Sequence, residues 1–290
     1  MPQVLVIIIN YKAEDLLPGV LKSLQEEDGA LSIAILDNSS TDASWNKLKS
    51  LDDDRVQLFR SASNLGFTGG INFVLRSEWV EQQNFPYFFL LNPDAYCPGG
   101  LVGNLVSLLQ QHANAACISP RITHMDGRPW YEGATIQYSK GKVVMDGMVK
   151  KQHGRVQETD VFNGCAALFD MHKVVKAGLF NEALFMYYDE ADLSIKLTQL
   201  GYTILYAPHL IVKHDVSYTT RKISHLKTYY MTRNKFLVFN NTMSTGQKLL
   251  FLAHELALHG KHLRIKNMLF HMKGYIDFTL GRTGAINQQS

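Results

Sequence analysis

Val4-Leu5-Val6-Ile7-Ile8-Ile9, closed by Asn10, is the stretch on which the fold turns. A short, unbroken apolar run suits a strand covered on both faces, as in a parallel sheet with helices on either side. Leu16, Leu17, Val20, Leu21 and Leu24 then recur at helical spacing. Ser32 to Leu36 reads as a second strand ending at Asp37, Asp42 to Leu51 as a helix, and Val56 to Phe59 as a third strand. A turn with Gly66, Gly69 and Gly70 opens a helix through Leu75 and Trp79. Tyr87 to Leu91 is a fourth strand ending at Asn92-Pro93-Asp94. Leu101, Val102, Leu105, Leu108 and Leu109 form a helical stripe before a further strand at Ala116 to Ile118. Strands and helices alternating through short links predict an α/β fold with a doubly wound, mostly parallel sheet.

From Arg121 to Phe162, Gly127, Gly133, Gly141, Gly147 and Gly154 break up short runs, which predicts loops and a small antiparallel insert. A helix is expected over 190–200, a strand over Thr203 to Tyr206, a helix over Leu226 to Phe239, and one or two amphipathic helices over 247–280. The expected organisation is a domain over 1–240, its nucleotide-binding half at 1–120 and its acceptor half at 121–240, followed by a tail over 241–290.

The 290 residues are 46% hydrophobic and 19% charged, ordinary for a globular protein. Of the 29 Lys and Arg, six lie after residue 247 (248, 261, 264, 266, 273, 282), against two acids there, Glu255 and Asp277. The remaining 23 bases and 24 acids nearly balance, so the +3 charge belongs to the tail, which argues against nucleic-acid binding. Leu249, Leu250, Ala253, Leu256 and Ala257, then Leu263, Ile265, Met268, Leu269 and Met272, give that tail an apolar stripe among its bases. A peripheral membrane contact is one reading of it; packing on the domain or at a homodimer interface is the other. Cys97, Cys117 and Cys165 are too scattered for a disulfide or zinc framework. With no run long enough to span a membrane and no basic leader, a cytoplasmic setting is expected, with a periphery at the inner face of the membrane.

Ligands of open α/β sheets sit beyond the carboxyl ends of the strands. Asn10, Asp37-Asn38-Ser39-Ser40-Thr41-Asp42 and Asn92-Pro93-Asp94 all fall there. Short carboxylates at such ends could hold a ribose hydroxyl, a base edge or a hard cation; an ordinary turn with a helix cap is the local alternative. Asn64 through Asn72, rich in glycine, could bring backbone N–H groups near a phosphate, although it matches neither dinucleotide nor P-loop fingerprints. Asp189, Glu190 and Asp192 crowd together beside Phe185, Met186 and Leu193. Repulsion and desolvation raise the pKa of such acids, as a general base near neutrality requires; an acidic first helical turn is the structural alternative.

Taken in order, Ile9-Asn10-Tyr11, Asp37 through Asp42, Asn64 through Asn72, Leu91-Asn92-Pro93-Asp94-Ala95, Asn163-Gly164, Phe185 through Leu193, His214 and Arg233-Asn234 resemble the inverting nucleotide-sugar glycosyltransferases of family 2. The resemblance is to the GT-A fold and the rhamnosyltransferase-like branch, and covers residues 4 to 240. It implies that Asp37 contacts the donor's base or ribose, with Asn10, Tyr11, Asn38 and Ser39 close by. Asn64, Gly66, Phe67, Gly70 and Asn72 would line the donor pocket. Asn92-Pro93-Asp94 stands where the family has Asp-x-Asp, so Asp94 would hold Mn²⁺ or Mg²⁺ at the diphosphate with His214 nearby. The family's base is the second acid of a Glu-Asp pair. The order is inverted here, giving Glu190 the base position with Asp189 as the second candidate. Asp192, Trp130, Tyr131 and Gly164 are expected on the acceptor side, Asp192 alternatively as a helix cap. Arg233 could clamp a phosphate of donor or lipid carrier, or pack on Tyr229 and Tyr230.

The implied reaction moves L-rhamnose or a hexose from a dTDP- or UDP-sugar to a saccharide or polyprenyl-linked saccharide, in a surface polysaccharide such as O-antigen. Two other readings are a sugar-phosphate nucleotidyltransferase and a catalytically silent nucleotide-sugar-binding module. The first would want an Arg-containing glycine loop after the first strand, where this chain has Asn10-Tyr11-Lys12.

Overall fold

The computed structural model describes residues 3–25, 27, 30–39, 41–145, 154–215, 224–240, 244–250, 253 and 265–286. In chain order the elements are β1 (Val4–Asn10), α1 (Leu17–Ser23), β2 (Leu31–Asp37), α2 (Asp42–Lys49), β3 (Val56–Arg60), α3 (Gly66–Leu75), α4 (Glu78–Gln83), β4 (Tyr87–Leu91), β5 (Ala95–Tyr96) and α5 (Leu101–Gln111). Then follow β6 (Ala115–His124), β7 (Pro129–Tyr131), β8 (Thr135–Gln137), β9 (Lys142–Val144), β10 (Gln157–Glu158), β11 (Ala166–Asp170) and α6 (Met171–Lys176). The chain closes with α7 (Asp189–Gln199), β12 (Thr203–His214), α8 (Ser224–Phe239) and α9 (Ile265–Thr279).

Every residue of β1 is buried, and its two faces enter different cores. Val4, Val6 and Ile8 pack with Leu17, Val20 and Leu21 of α1 and Leu101 and Leu105 of α5. Leu5, Ile7 and Ile9 pack with Ile71 and Val74 of α3 and Leu193 and Leu197 of α7. Strand periodicity alternates the faces, so helices on both sides demand an unbroken apolar run. Each such side chain contributes about 1.5–3 kcal/mol relative to exposure.

The sheet order is β10-β12-β6-β11-β4-β1-β2-β3, with β5 on β12 and β7 on β6. β1, β2, β3 and β4 run parallel, as do β6 and β12. The break is β11, antiparallel to both β4 and β6 at the centre of the sheet. The sequence pattern misses this strand, since Ala166-Ala167-Leu168-Phe169 follows a loop motif and is short. The expected insert is present as β7, the β8–β9 hairpin and β10. β6 and β12 are longer than expected. The helix through Trp79 is two helices, because the Ser77 hydroxyl caps the Val80 N–H at 3.3 Å and starts α4.

α9 packs on α8. A Cβ at Gly274 would lie 2.8 Å from the Tyr229 carbonyl oxygen, so the two backbones nearly touch there. The Tyr229 hydroxyl donates to Asp277 at 2.8 Å, and Phe236 stacks on Phe278. The tail's stripe from Leu256 to Leu263 and the bases Lys261 and Arg264 lie outside the described residues. No helix among the described residues is long and apolar enough to cross a membrane.

Candidate active site

The parallel register of β1 and β2 sets Asn10 beside Asp37 at the carboxyl rim of the sheet. Both side chains are buried. Asn10 Oδ1 accepts from Ala13 N–H at 3.1 Å, and its Nδ2 donates to Glu14 at 3.2 Å. Asp37 Oδ1 accepts from Ser39 N–H at 3.0 Å and from the Ser44 hydroxyl at 2.9 Å; Oδ2 has no hydrogen-bond partner. The Ser44 hydroxyl also lies against Glu14, whose pKa is lowered: Ser44, Asn10 and Lys47 favour its charge and outweigh the opposing effect of burial. Ser39 Oγ accepts from Lys12 N–H at 2.8 Å, and Tyr11 is exposed. Asn10 is therefore a turn-former. Glu14 and Ser44, which carry no motif signal, join Asp37 on this rim.

Much of the donor pocket expected from the glycine-rich segment is a structural clasp instead. Asn38 is buried, with Nδ2 on the Gly66 carbonyl at 2.9 Å and Oδ1 accepting from Leu65 N–H at 2.8 Å. Asn64 Oδ1 accepts from Gly66 N–H at 2.9 Å. Asn72 is buried, donating to the Phe180 carbonyl at 2.8 Å and accepting from Phe180 N–H at 3.2 Å. A Cβ at Gly70 would meet Leu36 at 3.1 Å and Ile9 at 3.2 Å, so this glycine serves helix–sheet packing. Gly66 has φ +73°, and a Cβ there would lie 2.4 Å from the Phe185 carbonyl oxygen. That oxygen accepts from Phe67 N–H at 2.7 Å and Thr68 N–H at 3.4 Å. The first N–H groups of α3 thus hold the chain ahead of α7 rather than a phosphate, and Asn38, Gly66, Gly70 and Asn72 leave the list of donor contacts.

At the end of β4, Asp94 is buried and its Oδ1 lies 3.0 Å from His214 Nε2. The pairing of β5 with β12, His214 against Ala95, creates this contact. His214 Nδ1 is buried and lacks a hydrogen-bond partner. Trp130, partly exposed, sets its ring edge-on at 5.7 Å from His214. Among the described residues no three His, Cys, Asp or Glu side chains form a metal cluster. Asp94 and His214 alone fit a divalent cation in donor chemistry, a hard carboxylate and an imidazole with a buried unpaired nitrogen. Two such ligands would leave the other coordination positions to diphosphate oxygens.

Glu190 and Asp189 open α7 after an elbow of unusual backbone. Phe185, Tyr187 and Tyr188 have φ of 66°, 67° and 65°. Phe185 (ψ −54°) is the centre of a γ-turn, with Met186 N–H on the Leu184 carbonyl at 2.8 Å. Non-glycine residues in such conformations cost on the order of 1–3 kcal/mol each and cluster at functional sites. Burial raises the Asp189 pKa well above its ordinary value, helped by Glu190. Burial also raises that of Glu190, against hydrogen bonds from its own N–H and that of Gly164. A Cβ on Gly164 would stand 3.2 Å from Glu190 Oε1 and 3.3 Å from the Phe67 ring. Gly164 therefore leaves space for the carboxylate, and Phe67 walls it. The loop at Asn163-Gly164-Cys165 joins the two acid centres: Asn92 N–H donates to the Cys165 carbonyl at 2.9 Å. The Cys165 thiol is pushed up by burial, with Asp94 and Glu190 both contributing from their sides.

Three acceptor or phosphate expectations give way. Tyr131 is buried, its hydroxyl on the Val161 carbonyl at 2.7 Å, so its ring is core and no sugar platform. Asp192 is engaged by Lys196 at 2.7 Å along α7 and by Asn181, which precedes the helix, at 3.3 Å. Arg233 is fully buried and its guanidinium donates to Asn234, the Tyr229 hydroxyl and the carbonyls of Gly284, Ala183 and Leu184. A guanidinium has five N–H donors, and five contacts leave none for a phosphate.

The model of the family described as "Glycosyl transferase family 2" matches residues 5–174. The low-salt glycan biosynthesis hexosyltransferase Agl10 of Haloferax volcanii is 26% identical over 242 residues, covering 82% of this chain and 76% of the relative. An N-acetylglucosaminyl-diphospho-decaprenol L-rhamnosyltransferase of Mycobacterium tuberculosis is 22% identical over 260 residues, covering 80% and 83%. Among solved structures, the mannosyltransferase PcManGT of Pyrobaculum calidifontis, in complex with GDP-Man and Mn²⁺, superposes with a TM-score of 0.59 at 16% identity, covering 97% of this chain and 88% of that one. GalNAc-T7 with UDP, GalNAc and Mn²⁺ gives 0.65 at 15% identity over 83% of this chain and 48% of its own. The fold is GT-A, and the chain is a glycosyltransferase belonging to family 2.

Proposed function

We propose that this enzyme moves a hexosyl or L-rhamnosyl unit, with inversion, from a dTDP- or UDP-sugar to a polyprenyl-linked saccharide during surface polysaccharide synthesis. The observation that carries the reading is that the Asn163–Cys165 loop touches both acid-bearing segments: a Cβ on Gly164 would lie 3.2 Å from Glu190 Oε1, and the Cys165 carbonyl accepts from the N–H of Asn92, two residues before Asp94. A single displacement needs the diphosphate end and the proton acceptor to face one sugar carbon, and this shared loop supports that arrangement.

Glu190 takes the proton of the acceptor hydroxyl as that oxygen attacks the anomeric carbon. The Gly164 N–H orients the carboxylate, while burial, helped by Glu190, raises the pKa of Asp189 beside it. Asp37, with one oxygen unpartnered, takes a polar edge of the nucleoside, with Tyr11, Ser39 and Asn92 at the rim. Asp94 and His214 would hold Mn²⁺ or Mg²⁺, which when bound neutralises charge on the departing diphosphate. Trp130, projecting beside His214, offers a face to a pyranose ring. The relative named for a decaprenol-linked substrate supports the lipid-linked acceptor. The exposed apolar residues Leu269, Met272 and Ile276 on α9, with Leu280 just after it, support a peripheral membrane contact.

The test is a panel of dTDP-, UDP- and GDP-sugars with Mn²⁺, read by thermal shift and by donor hydrolysis. One nucleotide should stabilise the enzyme only with the cation, and Asp94→Ala should abolish that dependence. Stabilisation that ignores EDTA and survives Asp94→Ala would refute the cation's role.

A further inference from the structure

Arg233 and Asn234 lie one after the other on α8, yet Arg233 Nη2 and Asn234 Nδ2 both reach the elbow before α7. Asn234 Nδ2, with two N–H donors, lies within hydrogen-bond distance of three carbonyls, Leu184 and Met186 at 2.8 Å and Tyr187 at 2.9 Å. Arg233 Nη2 donates to Ala183 and Leu184, each at 3.1 Å, and its Nε donates to Asn234 Oδ1 at 3.0 Å, fixing the amide's orientation. The Arg233 guanidinium lies over the rings of Tyr229 at 5.3 Å and Tyr230 at 5.1 Å, and Tyr230 stacks on Phe185. With Phe67 and Thr68 N–H on the Phe185 carbonyl, every carbonyl from Ala183 to Tyr187 is bound by a group outside the elbow. A strained backbone persists only where surrounding groups over-determine it.

We propose that Arg233 and Asn234 are positioning residues: they hold residues 183–188 in the positive-φ conformation that delivers Glu190 to the sugar. The inference rests on Glu190 being the base. Neither side chain touches substrate. Their effect passes through the backbone of Phe185, Tyr187 and Tyr188 to the first turn of α7. In the relaxed elbow, Glu190 would swing away from Gly164 and towards water.

Asn234→Ala tests this in the full chain. Turnover of the responding nucleotide sugar should fall at least tenfold, while its KM and the Mn²⁺-dependent thermal shift by the nucleoside diphosphate change less than twofold. The acid limb of the pH–rate profile should move down towards an ordinary glutamate, because Glu190 gains solvent. Amides of residues 185–190 should exchange hydrogen faster than in the parent. Asn234→Ser retains one donor and should fall between parent and alanine variant, which covers failure of the alanine variant to fold. An unchanged pH limb with unchanged exchange at 185–190, or loss of KM and turnover in step, overturns the proposal. Glu190→Gln, run beside it, separates the two levels: undiminished turnover there removes the base assignment, and the exchange data still report whether Asn234 holds the elbow.

Discussion

The rim at the ends of β1 and β2 and the elbow before α7 both carry carboxylates, but they are built in opposite ways. At the rim the contacts are short-range or come from the adjoining strand: Ala13 N–H on Asn10, Ser39 N–H and Ser44 on Asp37, Lys12 N–H on Ser39. Such turns satisfy themselves. At the elbow, three non-glycine residues sit at positive φ, and the groups that hold them come from α3 and α8. A nucleoside site asks only for acceptors in a stable place. A base must stand at one carboxylate position in a dry setting, and here distant residues hold the strain which that placement stores.

The largest expected effect lies at the elbow. General base catalysis is worth about 10²–10⁴-fold, so Glu190→Gln should cut turnover roughly 10³-fold while nucleoside diphosphate binding survives. A loss under tenfold would put the base elsewhere and end the contrast. Next is Gly66→Ala, which drives a methyl into the Phe185 carbonyl at a positive-φ site. Urea unfolding should show a loss of about 2–3 kcal/mol; a negligible loss would mean that α3 does not brace the elbow.

pH sharpens the same point. Burial raises the Glu190 pKa in the folded state above its ordinary 4.5, so the folded chain keeps a proton that the unfolded chain has lost. Stability therefore falls as pH climbs from that ordinary value through the raised one, by at most about 1.4 kcal/mol per unit of difference, less where solvent screens the group. Glu190→Gln should melt higher than the parent near neutrality and equally well at strongly acidic pH. An equal melting temperature at both would show that Glu190 is not held in a costly place. The smallest effect belongs to the rim: Ser39→Ala removes one acceptor and should cost about 0.5–1 kcal/mol, with a far smaller fall in turnover than Glu190→Gln. A loss as large as that of Gly66→Ala would erase the difference between the two regions.

Much of the fold is legible in the chain because helices on both faces leave their imprint as unbroken apolar runs: Val4–Ile9, Ile33–Leu36 and Phe88–Leu91. The reversed β11 is not, since a short run after Asn163-Gly164 carries no sign of direction. Site residues divide by the same logic. Asp37, Asp94 and Glu190 are readable as acids at strand and helix ends. Asn10, Asn38, Asn72 and Arg233 are polar for the sake of backbone carbonyls and amides, and a sequence writes a ligand contact and a backbone clasp with the same letters. The tail shows a similar ambiguity, its α9 packed against α8 through Gly274.

Periodicity and local chemistry along the chain were enough for an α/β sheet with acids at its carboxyl edge, because each depends on neighbours a few residues away. Which of those polar groups serve backbone contacts, and that α3 and α8 together hold the strained turn ahead of Glu190, depends on residues about 50 to 120 positions apart brought together by packing. No stretch of sequence contains that information by itself, because the strain at Phe185 and its restraint at Asn234 coexist only once the chain has folded.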